Sequence, residues 1–174
     1  MKILIYSKYS RLGASSRMRS YQYLPWLDAA NLETSISPLF SDAYVAALQN
    51  GDRRFFMVLM AYASRVYMVL FKRNSDLVLI EKELLPWIPA WVERILLWKI
   101  GCYILDYDDA VFHTYDKHRS AIIRRFLGRK HNVLVRGAKM VLAGNQYLAT
   151  YALEAGARRV EVLPTVIDLD RYPS

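Results

Sequence analysis

Short apolar runs rich in β-branched residues alternate along this chain with longer stretches of helical periodicity. The apolar runs predict six strands, at residues 2–7, 33–38, 76–81, 102–106, 140–143 and 160–164. The stretches between them predict helices at about 15–30, 41–50, 53–73, 89–100, 117–135 and 146–155. This alternation is typical of βαβ units, so we expect an α/β domain with a Rossmann-like parallel β-sheet flanked by helices.

Three residues occupy positions that are typical of helix ends. Asn145 is placed to cap the helix that follows it, and Asp52 has the same position before the 53–73 segment. Gly156 follows the 146–155 segment, where a glycine commonly ends a helix. These positions support the predicted helix boundaries.

Length and composition predict one domain. A chain of 174 residues with 54% hydrophobic content can bury one substantial core. We expect the domain to span 1–168, with residues 169–174 beginning a linker. The single cysteine, Cys102, lies in an apolar run, which predicts a core position and indicates a reducing compartment. The first apolar run, 3–6, is too short for a signal peptide, so we expect a cytoplasmic protein.

Basic residues are concentrated in one part of the chain. The formal net charge is +8, and residues 117–139 hold eight lysines and arginines without any acid. These are Lys117, Arg119, Arg124, Arg125, Arg129, Lys130, Arg136 and Lys139. Such a stretch suits the phosphates of nucleic acid, of anionic lipid or of a phosphorylated substrate, or it forms a solvated helix face. The chain has no recognised nucleic-acid-reading motif, so we expect no nucleic-acid partner.

Candidate chemistry is expected at one edge of the predicted sheet. Right-handed crossovers place the loops that follow parallel strands along a shared edge, and ligands of open α/β sheets bind there. In this chain those loops are 7–20, 106–116, 144–146 and 164–168.

The first of these loops combines a glycine with hydroxyl and guanidinium groups. Gly13 permits a close backbone approach, Ser15 and Ser16 are placed to cap a helix, and Arg17 and Arg19 follow just inside it. A helix start of this kind favours a phosphate or carboxylate. The loop is neither GxGxxG nor a Walker A sequence, so it supports neither NAD nor P-loop ATP chemistry. The alternative is an ordinary βα turn whose arginines face water.

The loop after the fourth strand is rich in carboxylates. It contains Asp106, Asp108, Asp109, His113 and Asp116. Carboxylates this close raise one another's pKa or recruit a cation, an arginine or a sugar hydroxyl, which predicts polar substrate binding or acid/base catalysis. The alternative is that some of these acids cap the next helix or pair with the arginines of the first loop.

Two predicted helices are more apolar than a small domain needs. Residues 55–71 include only Ser64 and Arg65 as clearly polar members, and Trp91 and Trp98 are seven residues apart on one face of the next helix. Length and the central arginine argue against a transmembrane span. Two interpretations stay open: helices that lie in the headgroup region of a membrane, or helices buried against the sheet.

Three sequence blocks resemble the N-terminal domain of family 4 glycosyltransferases, which are retaining GT-B enzymes. The blocks are SSRMRSYQYLPWL after the first strand, LDYDDAVFHTYDKH after the fourth, and VLAGNQYLATYALEAGARRVEVLPTVIDLDRY at the end. The likeness covers nearly the whole chain, and the last block is the most specific because its Pro164 to Asp168 segment fills the family's lead into the interdomain hinge.

The resemblance implies which residues line the cleft of a transferase. The candidate catalytic residues are Asp108, Asp109 and His113. The candidate cleft-binding residues are Gly13, Ser15, Ser16, Arg17, Arg19, Tyr21, Asp106, Asn145 and Thr165. In this family the first loop faces the donor, and the loops after the first and fourth strands line the acceptor side. No metal is implied.

The resemblance also implies that half of the enzyme lies elsewhere. In this family the nucleotide-sugar donor and a Glu-x7-Glu motif belong to a second domain, and residues 1–174 contain neither that motif nor a second set of βαβ units. We therefore expect an excised domain that is inactive alone and holds no cofactor. The expected partners are a nucleotide sugar and a glycan or lipid-linked acceptor, with an anionic membrane surface as a further candidate. The rival prediction is a non-catalytic, Rossmann- or flavodoxin-like module that binds a phosphorylated ligand or a membrane surface.

Overall fold

The structure of the protein is a computed structural model that describes residues 1–51, 55–71 and 75–167. Three sequence predictions fall outside this range: the Asp52 cap, the two ends of the 53–73 segment, and the part of the hinge and linker from Asp168 onward.

The described residues form a six-stranded sheet in which every neighbouring pair is parallel. The strands are β1 (Lys2–Tyr9), β2 (Glu33–Phe40), β3 (Leu77–Glu81), β4 (Tyr103–Tyr107), β5 (Met140–Ala143) and β6 (Val160–Val162). Their spatial order is β2-β1-β3-β4-β5-β6. All six predicted strands and the Rossmann-like α/β class are confirmed.

Nine α-helices connect these strands in the described part of the chain. They are α1 (Ala14–Arg19), α2 (Leu24–Ala29), α3 (Asp42–Gln49), α4 (Phe55–Phe71), α5 (Ala90–Ile100), α6 (His113–Asp116), α7 (Ala121–Leu127), α8 (Lys130–Gly137) and α9 (Gln146–Glu154). A 3-10 turn, Tyr21–Tyr23, separates α1 from α2.

Two of the predicted helices are interrupted. The 15–30 segment leaves helical geometry at Ser20, whose φ is −126° and ψ is −60°, and Pro25 then lies in the first turn of α2. A proline is tolerated there because the first-turn amides have no partner within the helix. The 117–135 segment breaks between α7, whose C-cap is Gly128, and α8, whose N-cap is Arg129.

The predicted ends of the helix after β5 are confirmed. The side chain of Asn145 accepts a hydrogen bond of 3.0 Å from the backbone N–H of Leu148, as an N-cap does. Gly156 follows the helix with a φ of +96°, a left-handed conformation that favours glycine.

One face of the sheet carries the main hydrophobic core. Tyr6, Ile80 and Leu105 are register partners on that face, and they are buried together with Val69 of α4 and Leu97 of α5. Burial of this apolar surface is the dominant favourable contribution to folding.

The next position along β3 and β4 points to the opposite face. Glu81 and Asp106 are register partners there, at the carboxyl ends of their strands, and both are buried. Hydrogen bonds join them to Ser16 and Arg19, so α1 covers this end of the face. The sheet thereby brings the first loop and the acidic loop together.

The predicted core position of Cys102 is wrong, because its side chain is exposed. β4 begins one residue later, at Tyr103, and Cys102 lies between that strand and Gly101, whose φ is +84°. The apolar run in the sequence extends beyond the part of it that the sheet buries.

Candidate functional site

A cluster of polar side chains lies at the carboxyl ends of β1, β3 and β4. We call it the rim cluster, and it consists of Ser15, Glu81, Lys82, Asp108 and Asp109. Each of the three strands ends at this edge because the sheet is parallel, so residues that are far apart in sequence meet there.

Ser15 links the first loop to both acidic turns. Its hydroxyl oxygen lies 2.5 Å from Asp108 Oδ2 and 3.0 Å from Glu81 Oε1. Burial raises the pKa of Glu81, and the hydrogen bonds from Ser16 and Ser15 and the charge of Lys82 act against that shift.

Lys82 fixes the two aspartates of the rim cluster. Its Nζ lies 3.0 Å from Asp108 Oδ1 and 2.8 Å from Asp109 Oδ2. Burial alone would raise the pKa of Asp108, but the Ser15 hydroxyl and the Lys82 ammonium outweigh it and hold that pKa below its usual value. Asp108 is therefore an ionised, oriented carboxylate at neutral pH, and the neighbouring Asp109 side chain is largely exposed.

Arg19 forms a buried ion pair with Asp106. Its Nε donates a hydrogen bond of 2.9 Å to Asp106 Oδ2, and its Nη2 donates to Oδ1. Burial would lower the pKa of Arg19, but the bonds to Asp106 outweigh that effect and the net shift is upward. Arg19 is therefore engaged inside the protein, as expected if the acids of the second loop pair with the arginines of the first.

Arg19 also fastens the segment that follows β6. Its Nη1 donates a hydrogen bond of 2.5 Å to the Leu163 carbonyl and lies 3.5 Å from the Thr165 hydroxyl. Gln22 adds a hydrogen bond of 3.0 Å to the Val166 carbonyl. Thr165 thus lies beside the first loop, although the segment itself is exposed.

The first loop differs in detail from the sequence prediction. Gly13, not a serine, is the N-cap of α1, so the predicted capping roles of Ser15 and Ser16 are wrong. A Cβ on Gly13 would lie 2.3 Å from the Cβ of Tyr9, so packing against that strand already requires a glycine. Both serine hydroxyls instead contact the carboxylate of Glu81.

Arg17 and Tyr21 lie beside the rim cluster without a hydrogen bond to it among the described residues. Arg17 is exposed on α1, and the guanidinium of Arg11 lies 4.9 Å from the centroid of the Tyr21 ring. Burial raises the pKa of Tyr21, so its hydroxyl stays neutral.

His113 belongs to a separate surface group. Its Nδ1 lies 2.9 Å from Asp116 Oδ1, and its Nε2 lies 2.7 Å from the Tyr147 hydroxyl and 3.1 Å from Lys117 Nζ. Within the described chain, no hydrogen bond joins this histidine to Asp108 or Asp109. The third candidate catalytic residue is therefore held apart from the other two.

Two residues of the rim cluster were not predicted from the sequence. Glu81 and Lys82 form the charged pair that directly follows the apolar run of β3. A charge at the carboxyl end of a buried strand, next to the strand that carries the aspartates, was the signal that could have identified them.

A second buried ion cluster supports the loop between β3 and α5. We call it the buried ion cluster, and it consists of Glu83, Glu93 and Lys130. The Nζ of Lys130 lies 2.6 Å from Glu83 Oε2, 2.8 Å from Glu93 Oε2 and 2.6 Å from the Leu85 carbonyl. Burial raises the pKa of Glu93, whereas Lys130 outweighs burial at Glu83 and lowers its pKa.

This cluster changes the interpretation of the basic stretch. Lys130 is buried at 1% exposure, and the other seven basic residues of 117–139 are exposed. The neighbouring His131 is also buried, which lowers its pKa to about 4 and keeps it neutral, and its Nδ1 lies 2.8 Å from the Tyr107 hydroxyl. The solvated-face interpretation is therefore wrong for Lys130.

No protein-family model and no curated protein matches this chain. The described residues include no group of three histidine, cysteine, aspartate or glutamate side chains arranged to hold a metal ion.

Proposed function

We propose that this domain is the acceptor-side half of a retaining GT-B glycosyltransferase that moves a sugar from a nucleotide donor to a saccharide, including a lipid-linked one. The observation that carries the proposal is the contact of Ser15 with Asp108 and Glu81, which joins the turns after β1, β3 and β4 into one polar wall. Two of those turns, after β1 and β4, lie in sequence blocks that resemble the family.

The chemistry of the rim cluster suits hydroxyl-bearing ligands. Carboxylate oxygens accept hydrogen bonds from sugar hydroxyls, and Asp109 presents its carboxyl group to solvent at 59% side-chain exposure. Asp108 is held in one orientation by Ser15 and Lys82. We assign Asp108 to orienting the acceptor hydroxyl and to receiving its proton, because an oriented carboxylate within hydrogen-bond reach can act as a general base.

The charge balance of the rim cluster disfavours the rival phospho-ligand module. The ammonium of Lys82 is shared by Asp108 and Asp109, and the guanidinium of Arg19 is taken by Asp106. A phosphate placed there would meet carboxylates whose countercharges are already used, which costs electrostatic energy. A neutral saccharide meets no such cost.

Sugar transfer by the chain alone and by the intact enzyme tests the proposal. We expect residues 1–174 to transfer no sugar from UDP- or GDP-activated hexoses to lipid-extract acceptors, and the polypeptide extended by a donor-binding domain to do so. The reason is that closing the cleft requires both halves to exclude water and orient the acceptor. Transfer by residues 1–174 without any added protein would contradict the assignment of this half to the acceptor side.

A further inference from the structure

Helix α4 has its polarity reversed relative to a helix on a water-facing surface. Its only charged residue, Arg65, is 2% exposed, and it donates hydrogen bonds of 3.0 and 2.9 Å to the carbonyls of Ser7 and Ser37. Its guanidinium also lies over the ring of Tyr6 at 4.6 Å. Burial lowers the pKa of Arg65 to about 10, so it remains charged at neutral pH. The single cation of α4 therefore lies on the side of the helix that faces the sheet.

The outside of α4 is apolar. Its exposed large side chains are Phe55, Phe56, Leu59, Met60, Tyr67, Leu70 and Phe71. Phe55 and Phe56 are each 76% exposed. Soluble monomers seldom leave a contiguous apolar surface of this kind in water, and such surfaces mark sites of interaction with another molecule.

Helix α5 also buries a charged side chain and leaves large apolar side chains exposed. Glu93 is fully buried in the ion cluster, while Trp91, Ile95 and Trp98 are exposed, the last at 83%. The two tryptophans lie on one face of the helix, as their seven-residue spacing predicts. Both helices pack their inner faces in the core, as the buried-helix alternative expects, and leave their outer faces exposed.

The outer faces of α4 and α5 belong to one surface, which we call the apolar face. The helices are neighbours: the Tyr62 hydroxyl of α4 donates a hydrogen bond of 2.7 Å to the Pro86 carbonyl just before α5, and Val69 and Ile100 line the same small cavity. At the other side of α4 the apolar lining continues into a groove of about 480 Å³ beside Phe40 and Met60.

We propose that the apolar face docks on a lipid bilayer with anionic headgroups. The charges that border the face favour lipid over a second copy of the chain. Arg94 and Lys99 are exposed on α5, and the net charge of the chain is +8. Two copies placed face to face would repel each other through these cations, whereas anionic headgroups attract them.

The mode of docking is interfacial. Of the helices in the described ranges, none is long and apolar enough to cross a membrane. Tryptophan and phenylalanine on a helix with basic flanks are suited to lying at the level of the headgroups, with aromatic rings reaching the start of the acyl chains. The inference does not rest on the proposed transferase activity, so the two can fail separately.

Vesicle flotation tests the docking surface. We expect the protein to float with vesicles of phosphatidylglycerol and phosphatidylcholine, to float less at high salt, and to float weakly with phosphatidylcholine alone. Salt weakens the headgroup attraction but leaves the apolar contribution. Equal recovery with the two vesicle types, or no recovery with either, would overturn the proposal.

Paired variants identify the face. We expect Trp91→Ser with Trp98→Ser to weaken the partition coefficient for anionic vesicles by about tenfold or more, because two exposed aromatic side chains no longer enter the interface. The matched control is Trp26→Ser, which we expect to change it by less than about twofold. Trp26 is 56% exposed on α2, and α2 lies beside Thr34 of β2. Helix α4 contacts Ser37, three residues further along the same strand. Side chains alternate between the two faces of a strand, so α2 and α4 lie on opposite faces of the sheet. Circular dichroism and urea unfolding check that each variant is folded.

Two readouts separate lipid from protein partners. In a background with Trp26→Phe and Trp87→Phe, we expect bromine-labelled lipid chains to quench the fluorescence of Trp91 and Trp98. Sedimentation velocity measures self-association of the same proteins without lipid. A dimer that dissociates on Trp91→Ser with Trp98→Ser, with vesicle binding unchanged, would assign the face to a protein interface and overturn the membrane proposal.

Discussion

We expect Lys130→Met to lower the free energy of unfolding by about 3–5 kcal/mol. Lys130 is buried and its ammonium contacts both Glu83 and Glu93, so the variant leaves two carboxylates inside the protein with no cation. Methionine fills a similar volume, so the loss reports the missing charge and not a cavity. Urea unfolding followed by circular dichroism measures it.

An exposed lysine close in sequence supplies the control. Lys139→Met removes the same charge from the surface, so we expect a change within about 0.5 kcal/mol. We also expect Glu83→Gln with Glu93→Gln in the Lys130→Met background to recover part of the lost stability, because the uncompensated charges are then gone. Equal effects of Lys130→Met and Lys139→Met would contradict the buried ion cluster.

We expect Arg19→Met to lower the free energy of unfolding by a similar amount, about 3–5 kcal/mol. It leaves the buried carboxylate of Asp106 without its partner and removes the hydrogen bond to the Leu163 carbonyl. Because that bond holds the segment after β6, we also expect faster hydrogen exchange or proteolysis within 163–167. Thermal unfolding and limited proteolysis are the measurements.

The same helix offers a matched variant. Arg17 is exposed on α1, so Arg17→Met is expected to leave stability within about 0.5 kcal/mol of the parent protein. Adding Asp106→Leu to Arg19→Met replaces the ion pair by apolar groups, which we expect to restore much of the stability. If the double variant were no more stable than Arg19→Met, the unpaired Asp106 would not be the cause of the loss.

Much of the sheet was predictable because several strands are short apolar runs bounded by polar residues, although β2 has the mixed sequence ETSISPLF. β3 and β4 are such runs, and pairing them in parallel follows from the helical stretch between them. The helix boundaries were less predictable. Ser20 ends α1 through its backbone conformation, and the break at 128–129 separates two stretches whose periodicity continues across it.

The sequence predicts where the candidate site lies but not which side chains contact one another there. Parallel topology places the first loop and the aspartate loop at one edge, and the Ser15 contact with Asp108 confirms that they meet. Spacing alone does not say which arginine turns inward, and the structure buries Arg19 while Arg17 faces water. His113 does not join the rim cluster, and its ring nitrogens instead contact Asp116 of α6 and the Tyr147 hydroxyl.

The sequence also does not predict which faces of α4 and α5 point to solvent. A helix with one arginine among sixteen uncharged residues usually turns the arginine to water. In α4 the backbone carbonyls of Ser7 and Ser37 offer Arg65 two acceptors at the sheet, so the helix rotates its phenylalanines outward. That outcome depends on tertiary contacts that no local pattern encodes.

The central claim is that the rim cluster is the acceptor wall of a transferase, and sugar transfer by Asp108→Asn in the intact enzyme tests it most directly. Asparagine keeps the size of the side chain but can neither receive a proton nor balance Lys82, so we expect kcat/KM to fall about 100-fold. The control is Asp28→Asn on exposed α2, next to the turn that precedes β2 at the opposite edge of the sheet, which we expect to change it by less than about twofold. Equal kcat/KM values for Asp108→Asn and Asp28→Asn would contradict the claim.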